Sequence, residues 1–279
     1  MGIKSNRILE KYKELIEAGI PVIGAGAGTG LSAMGAELGG SDLIIVYNSG
    51  RFRTAGLASS CGRMAFSDAN GLVLDMANEI LLAVKHTPVF AGIFASDPFR
   101  DMQDLLDRIQ QAGYCGVQNF PTMGINPPKL EAEFSLYGYG YDKEVEMIRM
   151  AHKIDLLTAP YCFNSKQAGE MAAVGADMIV AHMNLTTKGM IGAEDSDPLD
   201  QCVEKIQTIC DTAKAVNPNV IVIAHGGPLA EPEDVQYVLE RTRGVAGFFG
   251  ASSSERIPVE KAVTASIRAF KNLNIRTGE

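Results

Sequence analysis

Short apolar runs that end in Gly, Asn, Asp, His or Pro alternate along the chain with longer segments in which apolar residues recur every three or four positions. The first pattern is that of a buried strand, the second that of a helix with one apolar face. Eight runs read as strands: Pro21 to Gly24, Leu43 to Tyr47, Val89 to Phe94, Gly116 to Phe120, Leu156 to Tyr161, Met178 to His182, Val220 to His225 and Ala246 to Gly250. Helical periodicity follows at Leu31 to Leu38, Ala69 to Val84, Met102 to Gln111, Asp142 to His152, Ser165 to Val174, Leu199 to Val216, Glu233 to Thr242 and Val259 to Lys271. A further amphipathic stretch, residues 6 to 18, predicts a helix across the bottom of the domain.

An unbroken alternation of strand and helix calls for parallel strands joined by helical crossovers. Eight units in about 250 residues suit closure into an α/β (β/α)8 TIM barrel, with an extra N-terminal helix, better than an open doubly wound sheet. Proline near the expected helix starts (Asp97-Pro98, Asp197-Pro198, Glu231-Pro232) and glycine after helix ends (Gly113, Gly175, Gly244) agree with this division. No linker or low-complexity stretch divides residues 1–279, so one domain is expected. Three connections are long enough to be lids: Asn48 to Asp68, Pro121 to Tyr141 and Met183 to Pro198.

Composition narrows the classes. A chain that is 46% hydrophobic can bury a full core. Its net charge of −8, without a Lys/Arg cluster or any tryptophan, argues against nucleic acid as a partner. No apolar run approaches the roughly 20 residues that cross a bilayer, so a cytoplasmic protein without membrane contact is expected. Cys61, Cys115, Cys162, Cys202 and Cys210 form no C-x-x-C pair and read as reduced thiols, with Cys115 and Cys162 in strand runs as core residues.

In a barrel of this kind the chemistry sits where strands end. The first strand runs into Gly24-Ala25-Gly26-Ala27-Gly28-Thr29-Gly30, where Gly26 allows close backbone approach to a ligand or simply a tight turn. The last motif position of G-x-G-x-x-G is Thr29 and no acid ends strand two, so no nucleotide cofactor is expected. Asn48, Arg51 and Arg53 follow strand two and Arg100 follows strand three. Arginine suits bidentate binding of a carboxylate or phosphate, and a salt bridge to loop acids is the alternative. Asp97 closes strand three as a metal ligand or base, or as the N-cap of the next helix with Pro98 at its first position. Gln118, Asn119 and Tyr161 offer amides and a phenol to orient a polar substrate. His182 and His225 end strands six and seven, as metal ligands or acid/base groups, with hydrogen-bonded core histidines as the alternative. Gly226 and Gly227, with Gly250, Ala251 and Ser252, form short loops of the kind that hold phosphate in many barrels or simply turn the chain. No strand supplies a Schiff-base lysine, Lys188 being in a loop, and neither H-x-H nor G-x-S-x-G occurs.

The strings GAGTGLSAMGAELGGSDLIIVYNSGRFR, ASDPFRDM, GVQNFPTMG, GYDKEVEMIRMAHK, AHMNLTT, AHGGP and GFFGASSSER together resemble the phosphoenolpyruvate hydrolase-like TIM-barrel family, from about Gly24 to Val263. The same barrel is similar to the C-terminal domain of tobamovirus resistance proteins. The resemblance implies a TIM barrel that assembles as a homo-oligomer. Gly30-Leu31-Ser32-Ala33 with Ser67-Asp68-Ala69-Asn70 also looks distantly like the start of the phosphoenolpyruvate mutase and isocitrate lyase superfamily, in which acidic residues after strands three and four hold the substrate carboxylate with magnesium. Asp97 matches one such acid, while D-x-D-x-G-x-G and K-C-G-H are absent and strand four ends in Gln118-Asn119.

The expectation is therefore hydrolysis or lyase chemistry on a small phosphorylated or carboxylated keto or enol acid. Asp97 with His182 or His225 would handle protons or ligate a weakly held divalent cation such as magnesium. A non-catalytic ligand- or partner-binding barrel is the alternative, and metal-dependent aldol cleavage a third.

Overall fold

The computed structural model describes residues 5–276. Among the described residues nine parallel strands form one sheet: β1 (Val22–Gly26), β2 (Leu43–Val46), β3 (Val89–Gly92), β4 (Gly116–Gln118), β5 (Leu157–Thr158), β6 (Tyr161–Cys162), β7 (Met178–His182), β8 (Ile221–His225) and β9 (Val245–Gly250). The bonded order is β5-β4-β3-β2-β1-β9-β8-β7-β6. β5 and β6 are the two halves of the single run expected over Leu156 to Tyr161, parted at Ala159-Pro160 because proline has no amide for the ladder. The Ala159 amide still donates to the Val117 carbonyl and the Val180 amide to the Pro160 carbonyl. The sheet therefore closes on itself through these two residues, giving the expected TIM-barrel ring. Strand residues such as Leu43, Ile44, Ile45 and Val46 are buried on both faces, as parallel strands under helices must be.

The helices are α1 (Ser5–Glu17), α2 (Gly30–Leu38), α3 (Asn48–Thr54), α4 (Ala69–Ala83), α5 (Met102–Ala112), α6 (Pro128–Leu136), α7 (Tyr141–Lys153), α8 (Ser165–Ala173), α9 (Leu199–Val216), α10 (Pro232–Arg241) and α11 (Arg256–Lys271), with a 3₁₀ turn at Ser59–Arg63. α1 crosses the bottom of the barrel, where the Tyr12 hydroxyl donates to the Asp42 carbonyl and Lys11 pairs with the Asp42 carboxylate. Glu231 caps α10 with Asp234 in a reciprocal capping box and Pro232 at the first turn. α5 differs from expectation: its cap is Asp101, which accepts from the Asp104 amide, so Asp97-Pro98 lies before the helix and does not start it.

Two of the expected long loops hold helices. α3 and the 3₁₀ turn fill Asn48 to Asp68, and α6 lies within Pro121 to Tyr141, while Met183 to Pro198 stays irregular around a Thr187–Ala193 bridge. α3 can start directly at the end of β2 because Gly28 and Gly50 let two backbones touch: a Cβ on Gly28 would collide with the Gly50 carbonyl.

α11 also departs from expectation. It forms, but beyond its first turn it does not lie on the barrel, and every residue from Lys261 to Arg276 is exposed. Its direction is set by polar pins in that turn: Arg256 bonds Glu260 at 2.8 Å and the Lys188 carbonyl at 2.9 Å. The buried Ile257 adds an apolar anchor.

Replacing Gly28 by alanine has to push α3 away from the first turn. The expected cost is about 1–3 kcal/mol, read as a lower urea midpoint at unchanged m-value.

Candidate functional site

The end of β2 sets the centre of the site. Its polypeptide turns straight into α3, and one helical turn later this brings Arg53 back under the barrel mouth, buried at 4% exposure. The Arg53 Nε donates to Glu255 Oε2 at 3.0 Å, and the nearest terminal nitrogen lies 2.9 Å from the same oxygen but out of line for a hydrogen bond. Both terminal nitrogens are thus buried without a hydrogen-bond acceptor. Burial works against the Arg53 charge, yet Tyr47 and Glu255 raise its pKa above the usual value, so the guanidinium stays a cation. Its carbon stands 5.3 Å over the Tyr47 ring.

From Tyr47 a line of polar groups crosses the mouth. The Tyr47 and Tyr161 hydroxyls are 3.5 Å apart, and Tyr161 Oη is 3.4 Å from His225 Nε2. The other ring nitrogen, His225 Nδ1, is 2.6 Å from the Phe249 carbonyl. A carbonyl only accepts, so Nδ1 carries the proton and Nε2 is left as an acceptor facing Tyr161. His182 completes the group: its ring stacks on Phe163 at 4.4 Å and meets Tyr161 and His225 edge-on at 4.5 and 4.6 Å. His182 Nδ1 has no partner. Burial pushes His225 down to about 4, and burial, His225 and Arg63 hold His182 well below the usual imidazole range. Both rings are neutral near pH 7.

Gln118 and Asn119 serve the barrel wall. Where Pro160 interrupts the ladder, Gln118 Nε2 donates to the Ala159 carbonyl and Asn119 Oδ1 accepts from the Tyr161 amide at 2.6 Å. Asn119 in turn bonds Glu144, which also accepts from the Thr122 hydroxyl and the Met123 amide. Burial pushes the Glu144 carboxyl up to about 8 against those donors. Gln118 Oε1 remains unpartnered.

The glycine-rich turn after β1 already holds an anion, and that anion is part of the chain. Glu255 Oε1 accepts from the Gly28 amide and the Ser32 hydroxyl, each at 2.6 Å. Gly26 lies beside Arg53 and Ala251, where a Cβ would be 3.1 Å from each. Asn48 donates to the Gly62 carbonyl at 2.8 Å and leaves its own Oδ1 unpartnered. Gly226 and Gly227 take left-handed conformations that bind the loop after β7, Gly227 donating to the Asn184 carbonyl. Gly250 ends β9, and Ala251 and Ser252 begin the turn that leads to α11, their carbonyls accepting from the Glu255 and Ile257 amides.

Three expected residues lie apart from this group. Arg51 is half exposed and pairs with Glu79 at 2.9 Å. Arg100 pairs with Asp97 at 2.6 Å and with Asp68, and Asp97 also accepts from Asn70 Nδ2 and the Phe99 amide. Asn70, Phe99 and Arg100 together hold the Asp97 pKa below its usual value against burial. A guanidinium thus already joins the two carboxylates near the end of β3. Among the described residues no group of three or more His, Cys, Asp or Glu could hold a metal ion. The donor set does not fit a divalent cation as arranged.

Tyr47, Arg63, Glu144 and Glu255 are members of the site that strand-end reading missed. Tyr47 is the last residue of an apolar run in the sequence, and Glu255 follows the Ser252-Ser253-Ser254 stretch with no local sign of a role. Arg63 is exposed on the 3₁₀ turn, bonds Asn126 across the mouth, and depresses His182. The same turn is tied down by the Ser59–Ser252 hydroxyl contact at 3.0 Å and by Ser49 to the Ser59 carbonyl at 2.7 Å. It forms a cover from β2 to the ends of β4 and β9.

The model of a family described as phosphoenolpyruvate hydrolase-like matches residues 7–273. The chain is 52% identical over 268 residues to the ToMV susceptible protein tm-1(GCR26) of Solanum lycopersicum, covering 96% of this chain and 36% of that protein. It is 51% identical over 272 residues to the ToMV resistance protein Tm-1(GCR237) of the same plant, covering 98% and 36%. The chain therefore spans little more than a third of the length of these relatives. Among solved structures it resembles a phosphoenolpyruvate phosphomutase from Streptomyces platensis subsp. rosaceus, with TM-score 0.59, 16% identity and coverage of 94% and 87% of the two chains. It also resembles a phosphonopyruvate hydrolase solved in complex with oxalate and Mg++, with TM-score 0.59, 14% identity and coverage of 96% and 88%. At such identities the likeness is one of fold.

Two outcomes are expected. The His225 pKa of about 4 lies below the unfolded value of 6.5, so as pH falls the unfolded chain takes the proton first. The stabilisation is complete above 6.5 and is lost as pH falls through about 4. Urea titrations across this window should show the native chain losing up to about 1.4 kcal/mol per pH unit more than His225→Gln. For the buried ion pair, Glu255→Ala should cost about 3–5 kcal/mol by stranding the guanidinium, whereas the double variant R53M/E255M should recover most of it.

Proposed function

Because the chain belongs to the phosphoenolpyruvate hydrolase-like family, we propose that its barrel mouth is an enzyme site for a small keto or enol acid bearing a carboxylate or phosphate, acting by hydrolysis or lyase chemistry. The observation that carries this reading is the buried Arg53 cation, fixed from behind by Glu255 and left with two unpartnered terminal nitrogens. A guanidinium in that state offers the fork geometry of a carboxylate site, and water exclusion strengthens the attraction.

The proton chemistry falls to Tyr161 and His225. Tyr161 Oη donates to an enolate oxygen as charge develops there, and the neutral His225 Nε2 accepts or returns the proton at substrate oxygen or carbon. The Phe249 carbonyl keeps the imidazole in that tautomer. His182, neutral and stacked, shapes the wall and presents its free Nδ1 to the ligand. Arg63 supplies a second positive charge from the cover. A phosphate would lie toward Gly250, Ala251 and Ser252, with Gly226 and Gly227 opposite. Asp97 and Arg100 act on the rim, as an ion pair that orders the connection between β3 and α5. Oxalate with Mg++ in the phosphonopyruvate hydrolase lends support to an anionic ligand. Here Arg53 and Arg63 take the charge-stabilising role.

Ligand binding without turnover is the second reading, favoured by the names of the tomato relatives, which state susceptibility and resistance and no reaction.

The deciding experiment measures thermal stability with oxalate, phosphoenolpyruvate, oxaloacetate, pyruvate and phosphate, with and without magnesium. Oxalate at a hundred times its Kd should raise stability by about 2.7 kcal/mol, and R53M/E255M should abolish the shift. No shift with any of these anions overturns the site. With a responding keto acid as substrate, Tyr161→Phe and His225→Gln should each lower kcat by about 100-fold or more. Saturable binding with no turnover of any of these acids selects the binding barrel.

A further inference from the structure

Among the described residues four side chains keep a buried polar atom without a partner: Asn48, Arg53, Gln118 and His182. All four stand at the mouth, and folded proteins leave few such atoms without a reason. Arg53 and His182 enter the reaction proposed above, whereas Gln118 and Asn48 do not. Gln118 Nε2 donates to the Ala159 carbonyl at 3.0 Å, and Asn48 Nδ2 to the Gly62 carbonyl at 2.8 Å. A carbonyl only accepts, so neither amide can turn over, and each amide oxygen is fixed as an acceptor.

Gln118 is fully buried. Side chains alternate along a strand, so it shares its face with Phe120, whose ring lies 4.7 Å from Tyr47 and 6.2 Å from Tyr161. In the ladder it stands opposite Gly92 of β3, where a Cβ would strike Tyr47. Tyr47 in turn carries the Arg53 guanidinium over its ring. The barrel thus sets a fixed acceptor, Gln118 Oε1, and a fixed donor, Arg53, around the same tyrosine.

We propose that Gln118 is a specificity residue that reads a hydroxyl group on the ligand, so that the mouth takes a hydroxy or enol acid in preference to the keto acid. This deepens the reading of the mouth as an anion site and rests on it. The ligand carboxylate occupies Arg53, and only a group that donates can satisfy Gln118 Oε1. A keto oxygen in that place would bring two acceptors together and leave both unpaired in a buried site, which is how polar sites reject a near-isostere. A methylene would leave the amide oxygen as it is in the free chain. An ammonium also donates, but it would meet the Arg53 cation and the Arg63 cation of the cover. Asn48 Oδ1 offers a second acceptor beneath that cover, 3.1 Å from where a Cβ on Gly62 would lie.

The test is calorimetric titration of the full chain with acids that differ in one group: lactate against propionate, pyruvate and alanine, and malate against succinate. Lactate should bind about ten-fold more tightly than propionate, and malate than succinate, the worth of one added hydrogen bond. Pyruvate and alanine should both bind more weakly than lactate. The side-chain amide resonance of Gln118, identified by its loss in Gln118→Met, should shift with lactate and stay still with propionate. In Q118M the ratio within each pair should fall to near one. The ratios and the amide shift in the parent chain decide the matter even where Q118M fails to fold. Equal affinity within both pairs overturns the hydroxyl reading and leaves Arg53 as an anion site, and so does tighter binding of pyruvate or alanine than of lactate. Absence of binding by every one of these acids strikes the anion site itself, and this inference with it.

Discussion

A buried guanidinium and a buried carboxylate, Arg53 and Glu255, organise this barrel where its two ends of sequence meet. Glu255 accepts from Arg53, from the Gly28 amide and from Ser32, so one side chain ties α3, the turn after β1 and the start of α11 together. Burying two charges is costly, and such a pair is worth its place only when the remaining lone pairs and protons find partners. The carboxylate finds them and the guanidinium does not. That asymmetry leaves a desolvated cation short of acceptors at the mouth.

The rest of the mouth is arranged around neutral groups. The histidines are held unprotonated by burial, and Tyr161 is pushed above its usual range by the same cause. A site with guanidinium cations, neutral imidazoles and phenols suits an anion whose own charge moves during reaction, since the walls do not compete for it. The polar wall residues Gln118, Asn119 and Glu144 repair the sheet at Pro160 and so keep Tyr161 in register.

The barrel was legible because parallel strands buried on both faces read as apolar runs, and the helix between each pair keeps its own period. His182, His225, Tyr161 and Arg53 were legible as strand-end residues. Their sorting was not. Arg51, Arg53 and Arg100 look alike in sequence, and only the touching backbones at Gly28 and Gly50 turn Arg53 inward while Arg51 faces Glu79. Asp97 looked like a base or metal ligand because Asp68, the second carboxylate around Arg100, stands 29 residues away in sequence. The glycine-rich turn looked open to an external anion because nothing local shows that Glu255 comes back to fill it. The departure of α11 from the barrel leaves no trace in its periodicity, because an exposed helix can keep the apolar spacing of a packed one.

The central claim is that the Arg53 terminal nitrogens receive the ligand. Nitrogen-15 resonance of the arginine side chains, titrated with oxalate, tests it most directly. The account expects one buried guanidinium to shift and gain protection at its terminal nitrogens while its Nε, held by Glu255, stays nearly still, and expects that signal to vanish in R53M/E255M. Shifts confined to Arg51 or Arg100, or none at any arginine under saturating oxalate, would contradict it.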